Sequence, residues 1–177
     1  EGVEPDFLCL AKGISGGYIP LAATLTSEAI HQAFVAPFHE GKTFFHGHTF
    51  TGNPMAAQVA LKSLELLETR IHSGTLAATI QTFGEQLEAT LSEHPHVAQI
   101  RQRGLAAAID LQPAAGQPAW NPRERMGWKV CLAAREQGLL LRPLGNSLLI
   151  APPIVISARE IEFLCEQTKR AIETAFK

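Results

Sequence analysis

Lys12 stands between an apolar run, Phe7 to Ala11, and a glycine-rich turn, within the stretch DFLCLAKGISGGYIPLAA that spans Asp6 to Ala23. The apolar run has the length and character of a buried strand, and Gly13, Gly16 and Gly17 permit tight turns directly after it. A lysine at such a strand end is costly to bury as a cation. It must find a partner, reach water or be held as a neutral amine. A neutral amine is a nucleophile that condenses with carbonyls, the aldehyde of pyridoxal phosphate among them. A solvated loop lysine is the plain alternative, and spacing alone leaves both open.

A second stretch, FFHGHTFTGNP from Phe44 to Pro54, has the makings of an anion site. Asn53 is a good helix N-cap, and Pro54 suits the first helical position, where its missing N–H costs nothing. Free backbone N–H groups and hydroxyls gathered before a helix N-terminus form a natural seat for a phosphate. An ordinary capped helix start would look the same.

Taken together and at this separation, AKGISGGYIPLAA and HGHTFTGNP resemble the class III, fold-type I pyridoxal-phosphate aminotransferases. The similarity runs on through GLLLRPLGNSLLIAPPIVIS to the last helix. Within that family, PLAAT and HTFTGNP are most similar to the branch of biotin synthesis that converts 8-amino-7-oxononanoate to 7,8-diaminononanoate. The resemblance implies an α/β fold: the C-terminal part of a fold-type I transferase, comprising the end of the large sheet domain and a small α+β domain. It implies pyridoxal 5'-phosphate as cofactor, with Lys12 as the catalytic amine that carries it and shuttles the substrate proton. His48 and Thr49 would hold the phosphate, usually that of the neighbouring subunit in a homodimer with shared active sites. Gly47 would allow close approach of substrate, and Arg142 would anchor its carboxylate with a bidentate fork.

The amino donor implied is S-adenosylmethionine, although some relatives use lysine. Other class III enzymes act on ornithine, 4-aminobutyrate or similar ω-amines. The 177 residues alone could also be a non-catalytic dimerisation or folding fragment. The family's glycine-rich phosphate loop, ring-stacking aromatic and pyridine-pairing aspartate are expected upstream. Asp6 lies at the far end of the short strand from Lys12, which suits a surface or capping role. For Arg142 the plain alternative is a structural salt bridge or a helix C-cap, and for Tyr18 it is packing rather than substrate contact.

Composition narrows the classes. With 46% apolar residues the chain can build a core, and a net charge of −2 leaves no electrostatic footprint for nucleic acid. No apolar run reaches the length that spans a bilayer, so a soluble cytoplasmic protein is expected. Three widely spaced cysteines, Cys9, Cys131 and Cys165, in apolar contexts predict buried free thiols in a reducing compartment. His46 and His48 lack a third ligand at suitable spacing, so no metal site is expected.

The elements that must position these residues follow from periodicity. Phe7–Leu10 and Leu21–Leu25 read as core strands, and Ser27 caps a short helix over Glu28–Val35. Pro37–Lys42 reads as loop. Met55–Glu68 is a helix with so wide an apolar face that it should pack on more than one side. A domain boundary is placed at the break that follows, giving residues 1–69 to the large domain and 70–177 to the small one. In the latter, Thr75–Ser92 is helical, and Val97–Gln102 with Leu105–Leu111 forms a hairpin around Gly104. Asn121 starts a helix that runs to Gln137. Leu139–Leu141 is a buried strand ending at Arg142, Ser147–Ile150 is its return, and Ser157 with Glu160 makes a capping box for the last helix. Trp120 and Trp128 read as packing residues, and His94 and His96 flank Pro95 in a surface turn.

Overall fold

Antiparallel pairing of Phe7–Ala11 (β1) with Ala22–Thr26 (β2), in a register running from Phe7 opposite Thr26 to Ala11 opposite Ala22, begins the fold. The computed structural model describes residues 2–177 and divides along the chain into two compact units, one ending at His72 and the other beginning at Ser73.

In the first unit both strands are exposed rather than core, with Phe7 58% accessible. Among the described residues the ladder has only these two strands, and Leu8, Leu10 and Leu25 stand accessible on it. Cys9 is accordingly exposed and not a buried thiol, whereas Cys131 and Cys165 are buried. Ser27 caps Glu28–Gln32 (α1), its hydroxyl accepting the Ile30 N–H at 3.4 Å. The helix stops three residues short of Val35 because the next bonds close back by three residues instead of four, Phe34 N–H to the His31 carbonyl and Val35 N–H to that of Gln32. The segment expected to be all loop contains a 3-10 turn, Phe38–Glu40.

Pro54–His72 (α2) extends past Glu68. Thr69 keeps helical company by donating its hydroxyl to the Glu65 carbonyl at 2.9 Å, and Arg70 and His72 suit the negative end of the helix dipole. Its buried positions are Ala56 and Ala60, while Leu61, Leu64 and Leu66 are exposed, so within this unit one side of its apolar face is used.

The second unit holds the hydrophobic core. Thr75–Leu91 (α3) leads into Val97–Arg103 (β3) and Ala106–Leu111 (β4). Then come Met126–Glu136 (α4), Arg142–Leu144 (β5), Ser147–Ile150 (β6) and Ala158–Ala175 (α5). The four strands form an antiparallel sheet in the order β3-β4-β6-β5. Alternation puts Ala107, Ile109 and Leu111 of β4 and Leu148 and Ile150 of β6 in one core with Phe83, Leu87 and Leu91 of α3. Val130, Cys131 and Ala134 of α4 and Ile161, Leu164, Cys165 and Ile172 of α5 complete it. Fully removed from water, side chains of this size contribute roughly 1.5–3 kcal/mol each before entropy is counted. The capping box is present, with Ser157 and Glu160 satisfying each other's backbone N–H groups.

In this unit two elements differ from those expected by more than a residue. The helix assigned from Asn121 is interrupted: Asn121 caps a 3-10 turn, Pro122–Glu124, and Arg125 turns left-handed at φ 51° before α4 begins. In the first turn of α4, Gly127 lies against the Gly145 carbonyl and Pro143. Leu139–Leu141 is not a strand, because Leu139 is still tied to the helix end through its N–H to the Ala134 carbonyl at 2.9 Å. The strand starts at Arg142 instead, since the Gly145–Asn146 turn sets Leu144 opposite Ser147 and Arg142 opposite Leu149.

The turn at His94–His96 is half-buried rather than superficial. The His96 ring stacks on Phe176 at 4.0 Å between centroids, Phe176 stacks on Trp120 at 5.0 Å, and His96 Nδ1 meets the Gln112 carbonyl at 3.1 Å. His94 Nδ1 accepts the His96 N–H at 3.2 Å and so is unprotonated in this geometry. Burial, and then the neighbouring His96, hold His94 below its usual 6.5, with Glu173 of α5 acting in the opposite sense and Lys169 in the same one.

Two outcomes follow from this packing. Gly127→Ala drives a methyl group into the Gly145 carbonyl, and is expected to lower unfolding stability by about 1–3 kcal/mol in denaturant titration. Because folding depresses His94, the unfolded chain binds its proton first as pH falls. That contribution to stability is whole above the usual histidine value and is lost as pH drops from about 6.5 through the folded value. The melting temperature of His94→Asn should therefore fall less between about pH 8 and pH 5.5 than that of the unaltered chain.

Candidate functional site

Strand β1 ends at Ala11, and Lys12 opens a 3-10 turn, Lys12–Ser15, with its own backbone at φ 54°. Left-handed backbone costs an L residue roughly 1–2 kcal/mol, and non-glycine residues held there cluster at functional sites. Among the described residues only Lys12 and Arg125 share this property. The lysine side chain is exposed, and makes no ion pair or hydrogen bond among the described residues. The strand delivers it as an open amine.

Helix α2 joins this turn to the second motif. Its Ser63 donates a hydroxyl to the Gly13 carbonyl at 3.3 Å, and a Cβ added at Gly16 would rest 3.6 Å from Ser63 Oγ. At its N-terminus Asn53 Oδ1 accepts the N–H groups of Met55 at 3.0 Å and Ala56 at 3.3 Å, as the cap signature predicts. Immediately before the cap, the loop closes on itself. His48 N–H donates to Thr51 Oγ1 at 3.0 Å, Thr51 N–H to the His48 carbonyl at 2.9 Å, and Phe50 N–H to His48 Nδ1 at 3.2 Å. Gly47, His48 and Thr49 are all exposed. Thr49 alone in this corner has neither its hydroxyl nor its N–H engaged among the described residues.

An exposed amine and an exposed hydroxyl with its adjacent N–H are the donor set that an aldehyde and a phosphate require, so these residues fit pyridoxal phosphate. His48 fits less directly, since its N–H is already committed to Thr51. Tyr18 is 90% exposed and does not pack.

Arg142 belongs to the second unit. It opens β5 with its guanidinium exposed, and makes no ion pair or side-chain hydrogen bond among the described residues. Neither the structural salt bridge nor the helix cap is therefore present. Elsewhere in this unit Arg101 pairs with Asp110, its Nε and Nη2 donating at 3.0 and 2.9 Å. That fork, with help from the Ser147 hydroxyl, holds Asp110 below the usual carboxylate range. A cleft of about 260 Å3 lies near β5, lined by Trp120, Arg125, Trp128, Pro143 and Asn146. Arg142 does not line it.

Three contributors escaped the sequence reading. Ser15 and Ser63 brace the lysine turn, and Thr51 closes the corner at His48. A hydroxyl three residues after the lysine, and another three residues after His48, were the available signals for Ser15 and Thr51. Ser63 had none, since it reaches the turn only through tertiary packing.

The adenosylmethionine-8-amino-7-oxononanoate aminotransferase of Geobacter sulfurreducens is 46% identical over 175 residues, covering 98% of this chain. The enzyme of the same name from Aquifex aeolicus is 43% identical over 175 residues, again covering 98%. The crystal structure of the corresponding aminotransferase from Methanocaldococcus jannaschii superimposes with a TM-score of 0.88 at 37% identity, over 97% of this chain and 39% of that one. An (S)-enantioselective omega-transaminase from Thermomicrobium roseum does so at 0.86 and 30% identity, over 99% of this chain and 39% of its own. The chain spans 38% of the length of the Geobacter and Aquifex relatives. The aminotransferase class-III model matches residues 1–172, and with the lysine turn and capped corner in place the chain belongs to that family of pyridoxal-phosphate-dependent enzymes.

Proposed function

We propose that this chain supplies the lysine-bearing segment and the small domain of an aminotransferase that converts 8-amino-7-oxononanoate to 7,8-diaminononanoate, with S-adenosylmethionine as amino donor. The observation that carries the proposal is the open, unpaired amine of Lys12 at the end of β1 in strained backbone. The names of relatives up to 46% identical support the choice of substrate within the family.

Pyridoxal phosphate, when bound, brings an aldehyde that condenses with amines and a ring that accepts the electron pair left on the substrate carbon. Lys12 Nζ is the nucleophile that holds the cofactor between turnovers. As a free amine it would take the proton from the carbon bearing the donor's amine and return one to the acceptor carbon. Thr49 offers a hydroxyl and an N–H to the phosphate, and His48 adds its N–H when Thr51 Oγ1 gives way. Gly47 leaves room for substrate at the corner. Arg142 provides a guanidinium free to fork onto the carboxylate of the acceptor. We place the phosphate contacts of Thr49 across a two-fold axis in a homodimer, in the cytoplasm, where the free thiols would stay reduced.

Exposed side chains on the first unit, Phe7, Leu8, Phe44, Phe45 and Phe50 among them, favour a companion reading for the isolated chain. The 177 residues alone would bind cofactor weakly or not at all, acting as a folding or dimerisation piece.

Borohydride reduction of the whole protein loaded with pyridoxal phosphate, followed by peptide mass analysis, should place the cofactor on Lys12. Lys12→Ala should abolish both that label and turnover; normal turnover in this variant would overturn the proposal. Separately, Arg142→Ala should raise KM for 8-amino-7-oxononanoate by roughly 10- to 100-fold, the worth of a charged hydrogen-bonded contact, and change kcat less. An unchanged KM in steady-state assays would remove Arg142 from the site.

A further inference from the structure

We propose that Ser15 is a positioning residue for Lys12, holding the lysine's backbone left-handed so that the amine leaves the strand end in its reactive direction. The inference rests on Lys12 being the reacting amine. Its starting point is an oddity of placement. Gly13, which would accept positive φ without strain, directly follows Lys12, yet the left-handed conformation falls on the lysine and not on the glycine. Something in the turn must over-determine that choice.

Ser15 is the candidate by burial and by bonding. It is 2% exposed, and with Thr168 it is one of two buried polar or charged residues among those described. Its hydroxyl donates to the Ile19 carbonyl at 2.7 Å, tying the start of the glycine turn to its far side, and lies 3.5 Å from the carbonyl of Lys12 itself. With one proton to give, the hydroxyl spends it on the nearer carbonyl. The backbone bonds Gly16 N–H to Gly13 O at 3.1 Å and Tyr18 N–H to Ser15 O at 3.2 Å close the same loop. Ser63 adds an outside brace from α2 through the Gly13 carbonyl. Every one of these contacts is neutral. A carboxylate in the same place would pair with the ammonium form and occupy the nucleophile, whereas hydroxyls fix the backbone and leave the amine free.

The test uses the whole protein with three variants, Ser15→Ala, Ser15→Thr and Ser63→Ala. In the apo protein, selective 13C labelling of lysine reports the Lys12 backbone through its Cα and Cβ shifts. In the loading reaction, the rate at which added pyridoxal phosphate develops the yellow absorption reports the presentation of the amine. Ser15→Ala should move the Lys12 shifts from left-handed toward extended values, slow loading about tenfold and lower kcat with little change in KM. Ser15→Thr, which keeps the hydroxyl, should restore all three. Ser63→Ala should give smaller changes of the same sign, and it serves as the measurement if Ser15→Ala does not fold. Unaltered shifts and loading within twofold in Ser15→Ala, or in Ser63→Ala where that is the variant read, would overturn the proposal, as would a Ser15→Thr that behaves like Ser15→Ala. If borohydride fails to fix the cofactor to Lys12 in the unaltered protein, the assignment of Lys12 has failed, and that result is separate from either outcome above.

Discussion

A lysine backbone held at φ 54° at the end of β1 is the constraint on which the first unit depends. Strain of this kind persists only where surrounding contacts over-determine it. Here the hydroxyl of Ser15, the glycine turn and Ser63 of α2 do so with uncharged groups. The arrangement has a chemical logic, because a nucleophilic amine needs a fixed origin and no permanent counter-ion. The same helix reaches the loop before Asn53 at its N-terminus, so one rod sets both the amine turn and the corner at Gly47–Thr49.

The second unit obeys different physics. Its core of α3, α4 and α5 with the four-stranded sheet is buried and apolar, and the pieces near Arg142 are fixed by shape. Gly127 of α4 must remain without a side chain for the Gly145–Asn146 turn to approach, and that turn sets the register that puts Arg142 at the start of β5. Arg142 thus owes its place to packing of neutral backbone and not to an ion pair of its own. The first unit exposes more large apolar side chains than the second, those of β1 and of the segment that carries Phe44 and Phe45 among them. In a chain spanning 38% of the length of its Geobacter relative, that area is apolar surface open to packing.

Much of this was readable without coordinates. Caps are local, so Ser27, Asn53, and Ser157 with Glu160 announced their helices, and each does bond as its type requires. The hairpin around Gly104 and the buried face of α5 follow from periodicities of two and of 3.6. Errors arose where a distant partner overruled a local signal. Asn121-Pro122 looked like the start of one long helix, but Arg125 turns left-handed and α4 begins only at Met126, where Gly127 meets the Gly145 turn. Leu139–Leu141 looked like a strand by composition, but the helix end keeps Leu139 and the hairpin turn assigns the ladder to Arg142–Leu144. Leu8 and Leu10 looked like core, but burial is a property of what covers a strand, and two strands do not cover each other.

Residue type and spacing alone determined that an amine stands between a strand and a glycine turn, and that a capped helix follows a cluster of hydroxyls and N–H groups. These are statements about neighbours within a few residues, where covalent geometry limits the choices. Only the tertiary structure decided that the left-handed strain falls on Lys12 and not on Gly13, and that Ser63 braces the turn from 50 residues away. Such choices are settled by which hydroxyl lies within hydrogen-bonding reach of which carbonyl or N–H once the chain has packed, and no local pattern encodes that distance.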